Sequence, residues 1–272
     1  MQGRVLIVGG SDSGGGAGIQ ADIKTVTALN GFAMTAITAL TAQDSRQVKG
    51  VHPVPPAFVA EQMRLVLADL GADCLKTGMM HDGAIVDAVS DVLDNEARGI
   101  PLVVDPVLVS KSGAPLLAPD SMPVFKARLV LRATVITPNV PEAEILTGLR
   151  IASLDDMMHA AEMLRTLGPP NALLKGGHLP GDIVTDVLCT EKGIRLFQGP
   201  RIKTTSTHGT GCTLASGVAT GLAQGLSLED AVGRARAYLE AALKSAPGYG
   251  GGHGPLNHAV TVGSVPEWKP SQ

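Results

Sequence analysis

Short apolar runs alternate along this chain with longer segments in which apolar residues recur at helical spacing. Residues 4–8 predict a buried strand, the glycine-rich residues 9–18 predict a loop, and residues 19–29 have the spacing of a helix. The same pattern predicts further strands or strand ends at residues 36–40, 74–77, 102–105, 134–137 and 172–175, and a hairpin of residues 184–189 with 194–197. It predicts further helices at residues 55–70, 85–93, 142–146, 154–167, 210–224 and 228–243.

This alternation of strands and helices predicts an α/β fold with a mostly parallel central sheet and helices on both faces. No internal repeat or long linker divides the chain, so we expect one domain over residues 1–260 and a C-terminal tail over residues 261–272. Ligands of parallel sheets bind beyond the carboxyl ends of the strands. Polar, glycine-containing segments follow several of the predicted strands, which favours one composite site at that edge.

The composition narrows the possible partners. Hydrophobic residues make up 44% of the chain but aromatic residues only 3%, which is typical of a core built from Ala, Val, Ile and Leu. The net charge is −3 and charges of both signs are interspersed, so we expect neither nucleic acid nor a membrane as partner. The three cysteines have no metal-binding spacing, and no apolar run would form a signal peptide or a membrane span, which favours the reducing cytoplasm.

The segment H-G-T-G-C-T, residues 208–213, carries the strongest chemical signal. It precedes an Ala-, Gly- and Leu-rich helical pattern, so residues 209–212 would form a first helical turn whose N–H groups lack intrahelical acceptors. Glycines there would let the backbone approach a phosphate, and the field of the helix would lower the pKa of the Cys212 thiol. The alternative is a glycine-rich helix start with a buried structural cysteine. Both interpretations stay open on this segment alone.

The glycine-rich first loop fits a dinucleotide-binding motif poorly. Gly14 and Gly16 partly mimic G-x-G-x-x-G, but the loop is too long and no well-placed acidic residue follows to bind a ribose. The loop also lacks the G-K-[ST] ending of a Walker A loop. Tight turns explain some of these glycines without excluding a ligand.

The segment T-P-N-V-P-E, residues 137–142, places two oxygen-bearing side chains at a strand–helix junction. Asn139 and Glu142 would help to hold a hydrated Mg²⁺, with Asp105 as a second acidic group, or they would cap the helix. Capping is the simpler explanation of the spacing, and a turn at a strand end is the simpler explanation of Asp105.

Four other positions have a functional and a structural interpretation each. Lys175 precedes two glycines at a strand end and would face a phosphate or solvent. Gln43 has an amide suited to the edge of a heteroaromatic ring, or it is a solvated loop residue. Met79 and Met80 would pack on a flat ring or belong to the core, which is the commoner role of methionine. Cys74 and Cys189 fall in strand patterns and are expected in the core.

Seven separated blocks occur in an order that resembles a known family. They are S-D-S-G-G-G-A-G-I-Q-A-D-I-K-T, I-T-A-L-T-A-Q, K-T-G-M, D-P-V-L-V-S-K-S-G, T-P-N-V-P-E-A, L-K-G-G-H and T-H-G-T-G-C-T. Together they resemble the hydroxymethylpyrimidine/phosphomethylpyrimidine kinases of thiamine biosynthesis, in the ribokinase-like superfamily. The resemblance runs from Val5 to the G-H-G-P-L-N-H segment at residues 252–258. It implies a single ribokinase-like kinase domain, ATP and Mg²⁺, phosphorylation of 4-amino-5-hydroxymethyl-2-methylpyrimidine and then of its monophosphate, and a homodimer.

The resemblance also assigns roles to individual residues. It makes the segment of Gly209, Thr210, Gly211 and Cys212 the anion hole, with Cys212 where most ribokinase-like enzymes carry an aspartate base. It implies substrate-binding positions at Ala17, Asp22, Gln43, Met79 and Val107, nucleotide-binding positions at Asn139, Glu142 and Lys175, and metal-binding positions at Asp105 and Glu142. The chain departs from the pattern at Gly14, where we expect serine, and this change would loosen the first loop.

Two rival functions remain at this stage. A vitamin B6 (pyridoxal) kinase shares the superfamily fold and in some cases the cysteine. The I-T-A-L-T-A-Q block that ends at Gln43 and the complete T-H-G-T-G-C-T block nevertheless favour a pyrimidine substrate. A non-catalytic binding protein on the same scaffold is disfavoured because Cys212, Glu142 and Lys175 are all present.

Overall fold

One mixed sheet forms the centre of the molecule. The structure is a computed structural model that describes residues 2–110, 113 and 115–263. The described chain contains a nine-stranded sheet in the order β3-β2-β1-β4-β5-β6-β7-β8-β9. The strands are β1 (Arg4–Asp12), β2 (Phe32–Gln43), β3 (Val48–Pro53), β4 (Cys74–Thr77), β5 (Leu102–Val104), β6 (Val135–Ile136), β7 (Ala172–Leu174), β8 (Ile183–Thr190) and β9 (Gly193–Pro200).

Six neighbouring strands, from β2 to β7 in the sheet order, run parallel, and antiparallel pairs lie at the two ends. The helices are α1 (Gly18–Ala28), α2 (Pro56–Asp69), α3 (Gly83–Glu96), α4 (Met122–Val124), α5 (Val140–Thr147), α6 (Leu154–Thr166), α7 (Thr210–Ala223) and α8 (Leu228–Lys244). A 3₁₀ turn (Pro119–Ser121) precedes α4 and a π-helix (Phe125–Val130) follows it.

Apolar layers cover both faces of the sheet, as the sequence predicts. Side chains of β1 alternate, so that Leu6 and Val8 join the core with α2, α3, α5 and α6, whereas Val5 and Ile7 face the core with α1, α7 and α8. Cys74 and Cys189 are buried in these cores, as expected. None of the helices in the described residues is both long and apolar enough to cross a membrane.

The sequence prediction misses two features and misplaces several boundaries. β1 continues through Asp12 into the segment predicted as a loop, and β2 is much longer than residues 36–40. Strand β3 and the helical segment over residues 119–130 were not predicted. The hairpin is confirmed, because β8 and β9 pair antiparallel. Of the predicted tail at residues 261–272, residues 264–272 lie outside the described residues, as does Met1 of the predicted domain.

Candidate active site

A cleft of about 1080 Å³ lies along the carboxyl ends of the parallel strands. Every site residue named from the sequence borders this cleft, so the structure brings these residues together, and their roles stay predictions. These residues are Ala17, Asp22, Gln43, Met79, Asp105, Val107, Asn139, Glu142, Lys175, Gly209, Thr210, Gly211 and Cys212.

The predicted anion hole forms the start of α7. Gly209 precedes the helix with a positive φ of 83°, and a Cβ there would lie 1.9 Å from the carbonyl oxygen of Gly16, so only glycine fits. Thr213 N–H donates to the Gly209 carbonyl over 2.9 Å. The N–H groups of the first turn precede the intrahelical ladder and lie at the positive end of the helix dipole. This turn has the geometry and the field to bind a phosphate.

The thiol of Cys212 differs from the sequence prediction. Burial raises its pKa to about 12, and the nearby Asp22 and Asp105 carboxylates act in the same direction. The Lys76 ammonium and the Gly18 N–H oppose this effect but do not outweigh it. The expectation of a lowered pKa is therefore wrong, because the loss of hydration and the two carboxylates together outweigh the Lys76 charge and the Gly18 N–H. The side chain carries a proton at neutral pH.

A buried ion pair lies beside Cys212. Lys76 Nζ contacts the two carboxylate oxygens of Asp22 over 2.9 and 3.0 Å, and Ser216 donates to Asp22 over 2.7 Å. Both charged side chains are 1% exposed. Burial alone would lower the pKa of Lys76, but the hydrogen bond to Asp22 and the negative charges of Asp22, Cys212 and Asp105 together outweigh burial and raise it. Asp22 thus borders the cleft while its carboxylate pairs with Lys76. Lys76 also lines the cleft, and sequence reasoning missed it although it lies in the K-T-G-M block.

A second lysine–carboxylate pair lies close to the anion hole. Lys175 Nζ is 2.8 Å from Asp105 Oδ1, which also accepts a hydrogen bond from Thr137 over 3.1 Å. A Cβ on Gly211 would lie only 3.1 Å from Lys175 Nζ. The ammonium group of Lys175 therefore lies where the anion hole would hold a phosphate, which supports its predicted position.

The capping interpretation of α5 is confirmed. Asn139 Oδ1 accepts from the Glu142 N–H over 2.9 Å, and Glu142 Oε2 accepts from the Asn139 N–H over 2.8 Å. Burial raises the pKa of Glu142 to about 7, against the charge of Lys175, and the Asp105 carboxylate raises it further. Glu142 therefore caps the helix and also places an acidic group in the cleft.

The residues present fit a magnesium ion bound together with phosphates. Two neighbouring carboxylates, of Asp105 and Glu142, disfavour each other's charge, and a cation between them would relieve this repulsion. Mg²⁺ is usually held by one or two carboxylates, with water and phosphate oxygens completing its coordination. Within residues 2–110, 113 and 115–263 there is no cluster of three metal-binding side chains. The predicted metal residues thus suit an ion that arrives with a nucleotide.

The first loop is held by Asp12, a second residue that the sequence did not single out. Its carboxylate accepts N–H groups from Gly14, Gly16 and Ala17 over 2.8 to 3.1 Å and contacts His208 Nε2 over 2.8 Å. Burial would raise the pKa of Asp12, but the bond to His208 and these N–H groups lower it. Gly14 is one of the anchored residues, and the expected loosening of the loop at this position stays a prediction.

The side chains around Gln43 in the cleft are partly apolar. Met79 is 8% exposed and lies against Gly10, whereas Met80 is 1% exposed and belongs to the core. Val107 follows β5 at the rim. Gln43 ends β2 and faces His208, with 3.2 Å between their Nε2 atoms. This part of the cleft therefore combines an amide with apolar contacts, as a small aromatic ring requires.

Comparison with known proteins agrees with this geometry. A family model described as phosphomethylpyrimidine kinase matches residues 12–257. The thiamine biosynthesis bifunctional protein ThiED of Geobacter sulfurreducens is 48% identical over 97% of this chain, which spans only 54% of that protein. The hydroxymethylpyrimidine/phosphomethylpyrimidine kinase of Streptomyces coelicolor is 46% identical over 95% of each chain.

Solved structures show the fold. An ADP complex of Bacillus subtilis pyridoxal kinase superposes with a TM-score of 0.87 at 31% identity, covering 96% of this chain and 98% of that chain. The expected ribokinase-like architecture is thereby confirmed. With the family model covering most of the chain and relatives above 40% identity, this chain belongs to the phosphomethylpyrimidine kinase family.

Proposed function

We propose that this protein uses ATP to phosphorylate 4-amino-5-hydroxymethyl-2-methylpyrimidine and then its monophosphate. One observation carries the proposal. A single cleft contains a helix-start anion hole, the buried Lys76, the partly buried Lys175, the carboxylates of Asp22, Asp105 and Glu142 and the amide of Gln43. Phosphoryl transfer requires mainly positioning and positive charge around the transferring group, and this cleft supplies both.

The phosphates of the nucleotide are assigned to the Lys175 side of the anion hole. The N–H groups of Thr210, Gly211 and Cys212 lie in the first turn and have no intrahelical acceptor, and Lys175 Nζ lies 3.1 Å from where a Cβ on Gly211 would be. These groups stabilise negative charge as it develops on the transferring phosphoryl group. Asp105 and Glu142 would hold Mg²⁺, which neutralises phosphate charge when it is bound. Asn139 keeps Glu142 in place through the capping box.

The pyrimidine is assigned to the Gln43 end of the cleft. Ala17, Met79 and Val107 would contact the ring, and Asp22 would act through Lys76. In the first step Cys212 accepts the proton of the hydroxymethyl group. Because its thiol is protonated at neutral pH, only the thiolate fraction can act as a base, and the nearby Lys76 charge favours that fraction.

The test is ATP consumption by the purified protein with three acceptors. We expect turnover with the hydroxymethylpyrimidine and with its monophosphate, and a much lower kcat/KM with pyridoxal. Turnover with pyridoxal alone would replace the pyrimidine proposal. ATP binding without turnover of any acceptor would favour a binding protein.

Pyridoxal phosphorylation is the second candidate function. The 0.87 TM-score to a pyridoxal kinase favours it, since the two folds superpose over nearly their whole length. The pyrimidine proposal is preferred because the relative that matches over 95% of both chains is named for that activity. We further propose a cytoplasmic homodimer, to be checked by fractionation and by light scattering.

A further inference from the structure

The contact between Asp12 and His208 determines which kind of hydrogen-bonding group faces the Gln43 side-chain nitrogen. His208 Nε2 lies 2.8 Å from Asp12 Oδ2 and 3.2 Å from Gln43 Nε2. Asp12 Oδ2 already accepts N–H groups from Gly16 over 3.1 Å and from Ala17 over 2.8 Å, so it is an acceptor. His208 Nε2 must therefore carry a hydrogen and donate it to Asp12. A protonated ring nitrogen has no lone pair left to accept from an amide nitrogen.

Thr41 determines which kind of hydrogen-bonding group faces the Gln43 side-chain oxygen. Its hydroxyl lies 2.9 Å from the carbonyl oxygen of Ser11, which can only accept, so the single hydroxyl hydrogen points there. The same Thr41 oxygen lies 3.3 Å from Gln43 Oε1. Two oxygens without a hydrogen between them repel each other. Gln43 thus faces a donor with its nitrogen and an acceptor with its oxygen.

A half-turn of the Gln43 amide exchanges its nitrogen and oxygen and corrects both contacts at once. The oxygen then accepts from His208 Nε2–H, which it shares with Asp12, and the nitrogen donates to Thr41. We propose that Asp12 and His208 are positioning residues that lock the Gln43 amide in this orientation and so fix the hydrogen-bonding polarity of the pyrimidine site. This inference rests on the proposed function, in which Gln43 binds the ring edge.

The locked amide presents one donor and one acceptor to the cleft in a fixed order. A 4-aminopyrimidine presents an amino donor beside the N3 acceptor. The corresponding 4-oxo pyrimidine has the opposite order, a carbonyl acceptor beside N3–H. Because phosphoryl transfer directs the hydroxymethyl group to the anion hole, the ring cannot turn over. An amide that rotates freely would then pair with either ring, whereas a locked amide pairs with only one. The lock therefore selects the amino substrate.

The test compares kcat/KM for the 4-amino and 4-oxo hydroxymethylpyrimidines, because effects on the neighbouring anion hole cancel in their ratio. The wild-type protein should prefer the amino compound by roughly tenfold to a hundredfold, the cost of an unpaired buried polar group. His208→Phe should bring the ratio close to one without changing the KM for ATP. His208→Gln should restore most of the ratio, because its amide has two hydrogens for Asp12 and Gln43. His253→Phe, which removes an imidazole elsewhere on the cleft wall, should keep the wild-type ratio.

If folded His208→Phe keeps the wild-type ratio of kcat/KM for the 4-amino and 4-oxo compounds, the inference that His208 locks the Gln43 amide is overturned. A second measurement avoids reliance on variants: the ¹⁵N shifts of His208 in the wild-type protein should show a protonated Nε2, and an unprotonated Nε2 would overturn the inference. The proposed function has its own contradicting outcome, which is that neither pyrimidine is phosphorylated. In that case the NMR measurement still shows whether His208 Nε2 carries the hydrogen.

Discussion

Cys212 carries the first prediction at the residue scale. Only its thiolate can accept a proton, and burial raises the thiol pKa to about 12, so kcat/KM for the alcohol should rise throughout about pH 7 to 10 without a plateau. Cys212→Ala should lower turnover of the alcohol by about 10²–10⁴-fold and abolish this rise. Steady-state kinetics with the free pyrimidine at several pH values measure both effects.

Cys189→Ala is the matched control, because it removes a thiol that is 2% exposed in the core of β8. It should lower Tm slightly and leave the pH profile unchanged. If Cys212→Ala is folded and turns over the alcohol at nearly the wild-type rate, Cys212 serves packing only.

Gln43 carries the second prediction. Gln43→Leu removes both hydrogen-bonding groups, and an unpaired polar contact costs roughly 1–3 kcal/mol when its partner stays buried. The KM for the pyrimidine should rise strongly while the KM for ATP stays constant. Gln62→Leu is the control, since Gln62 bonds the backbone of Ile37 outside the cleft and should affect stability only. Equal increases of both KM values in Gln43→Leu would indicate a general folding defect.

The sequence predicts residues in compact motifs better than residues paired over long distances. Cys212, Asn139 and Lys175 each lie in a short polar block at a predicted strand or helix end. The sequence does not indicate the pairing of Lys76 with Asp22, because the two residues are 54 positions apart. It does not indicate the pairing of Asp12 with His208 either, because these are 196 positions apart. The Cys212 pKa was predicted in the wrong direction for the same reason. A helix start is visible in the sequence, whereas burial among distant segments is not.

The first turn of α5 carries the prediction at the element scale. Glu142→Gln can still accept the Asn139 N–H, so the cap survives, but the charge in the cleft is lost. The variant should need much more Mg²⁺ for half-maximal activity. Titration of activity with Mg²⁺ at saturating ATP measures this shift, and unchanged Mg²⁺ dependence with reduced stability would leave Glu142 as a cap alone.

The stability of the same variant has a predicted pH dependence. Burial raises the Glu142 pKa from 4.5 to about 7, so the folded protein keeps a proton that the unfolded chain releases in this window. The contribution of Glu142 to the free energy of unfolding is therefore full below pH 4.5 and is lost as the pH rises through about 7. Relative to wild type, the Tm of Glu142→Gln should increase between about pH 5 and pH 8. Asp156→Asn, in the corresponding capping box of α6, should show neither this trend nor an altered Mg²⁺ requirement.

The sequence predicts the helices and strands whose apolar residues recur with a regular period. It misses the elements that form only through contacts with neighbouring elements. Strand β3 contains Gly50 and Pro53, which are typical of turns, but it pairs with β2 at the edge of the sheet, where proline is tolerated. The segment over residues 119–130 passes through 3₁₀, α and π geometry, so no single helical period marks it. Its buried Phe125 and Leu129 depend on the core that α3 and α5 complete.

At the scale of the whole molecule, one cleft of about 1080 Å³ has room for a nucleotide and a small acceptor together. The anion hole adjoins Lys175 on one side, and its preceding residue His208 contacts Gln43. The two acceptors differ chemically, since the hydroxymethyl group must lose a proton whereas the monophosphate is mostly ionised near neutral pH, its second pKa being about 6. The second step therefore needs positive charge more than it needs a base.

This difference gives the last prediction, that both phosphorylations occur in this cleft but depend on different residues. Cys212→Ala should slow the first step much more than the second, because only the alcohol requires a base. Lys175→Gln, whose amide can still donate to Asp105, should slow both steps, since both transfer the phosphoryl group of ATP. Lys126→Gln, which alters a lysine bonded to the Leu146 carbonyl, should slow neither. Separate assays with the alcohol and the monophosphate decide the matter: if the wild-type protein phosphorylates the alcohol but never the monophosphate, the cleft performs a single step, and a salvage kinase for one acceptor describes the protein better.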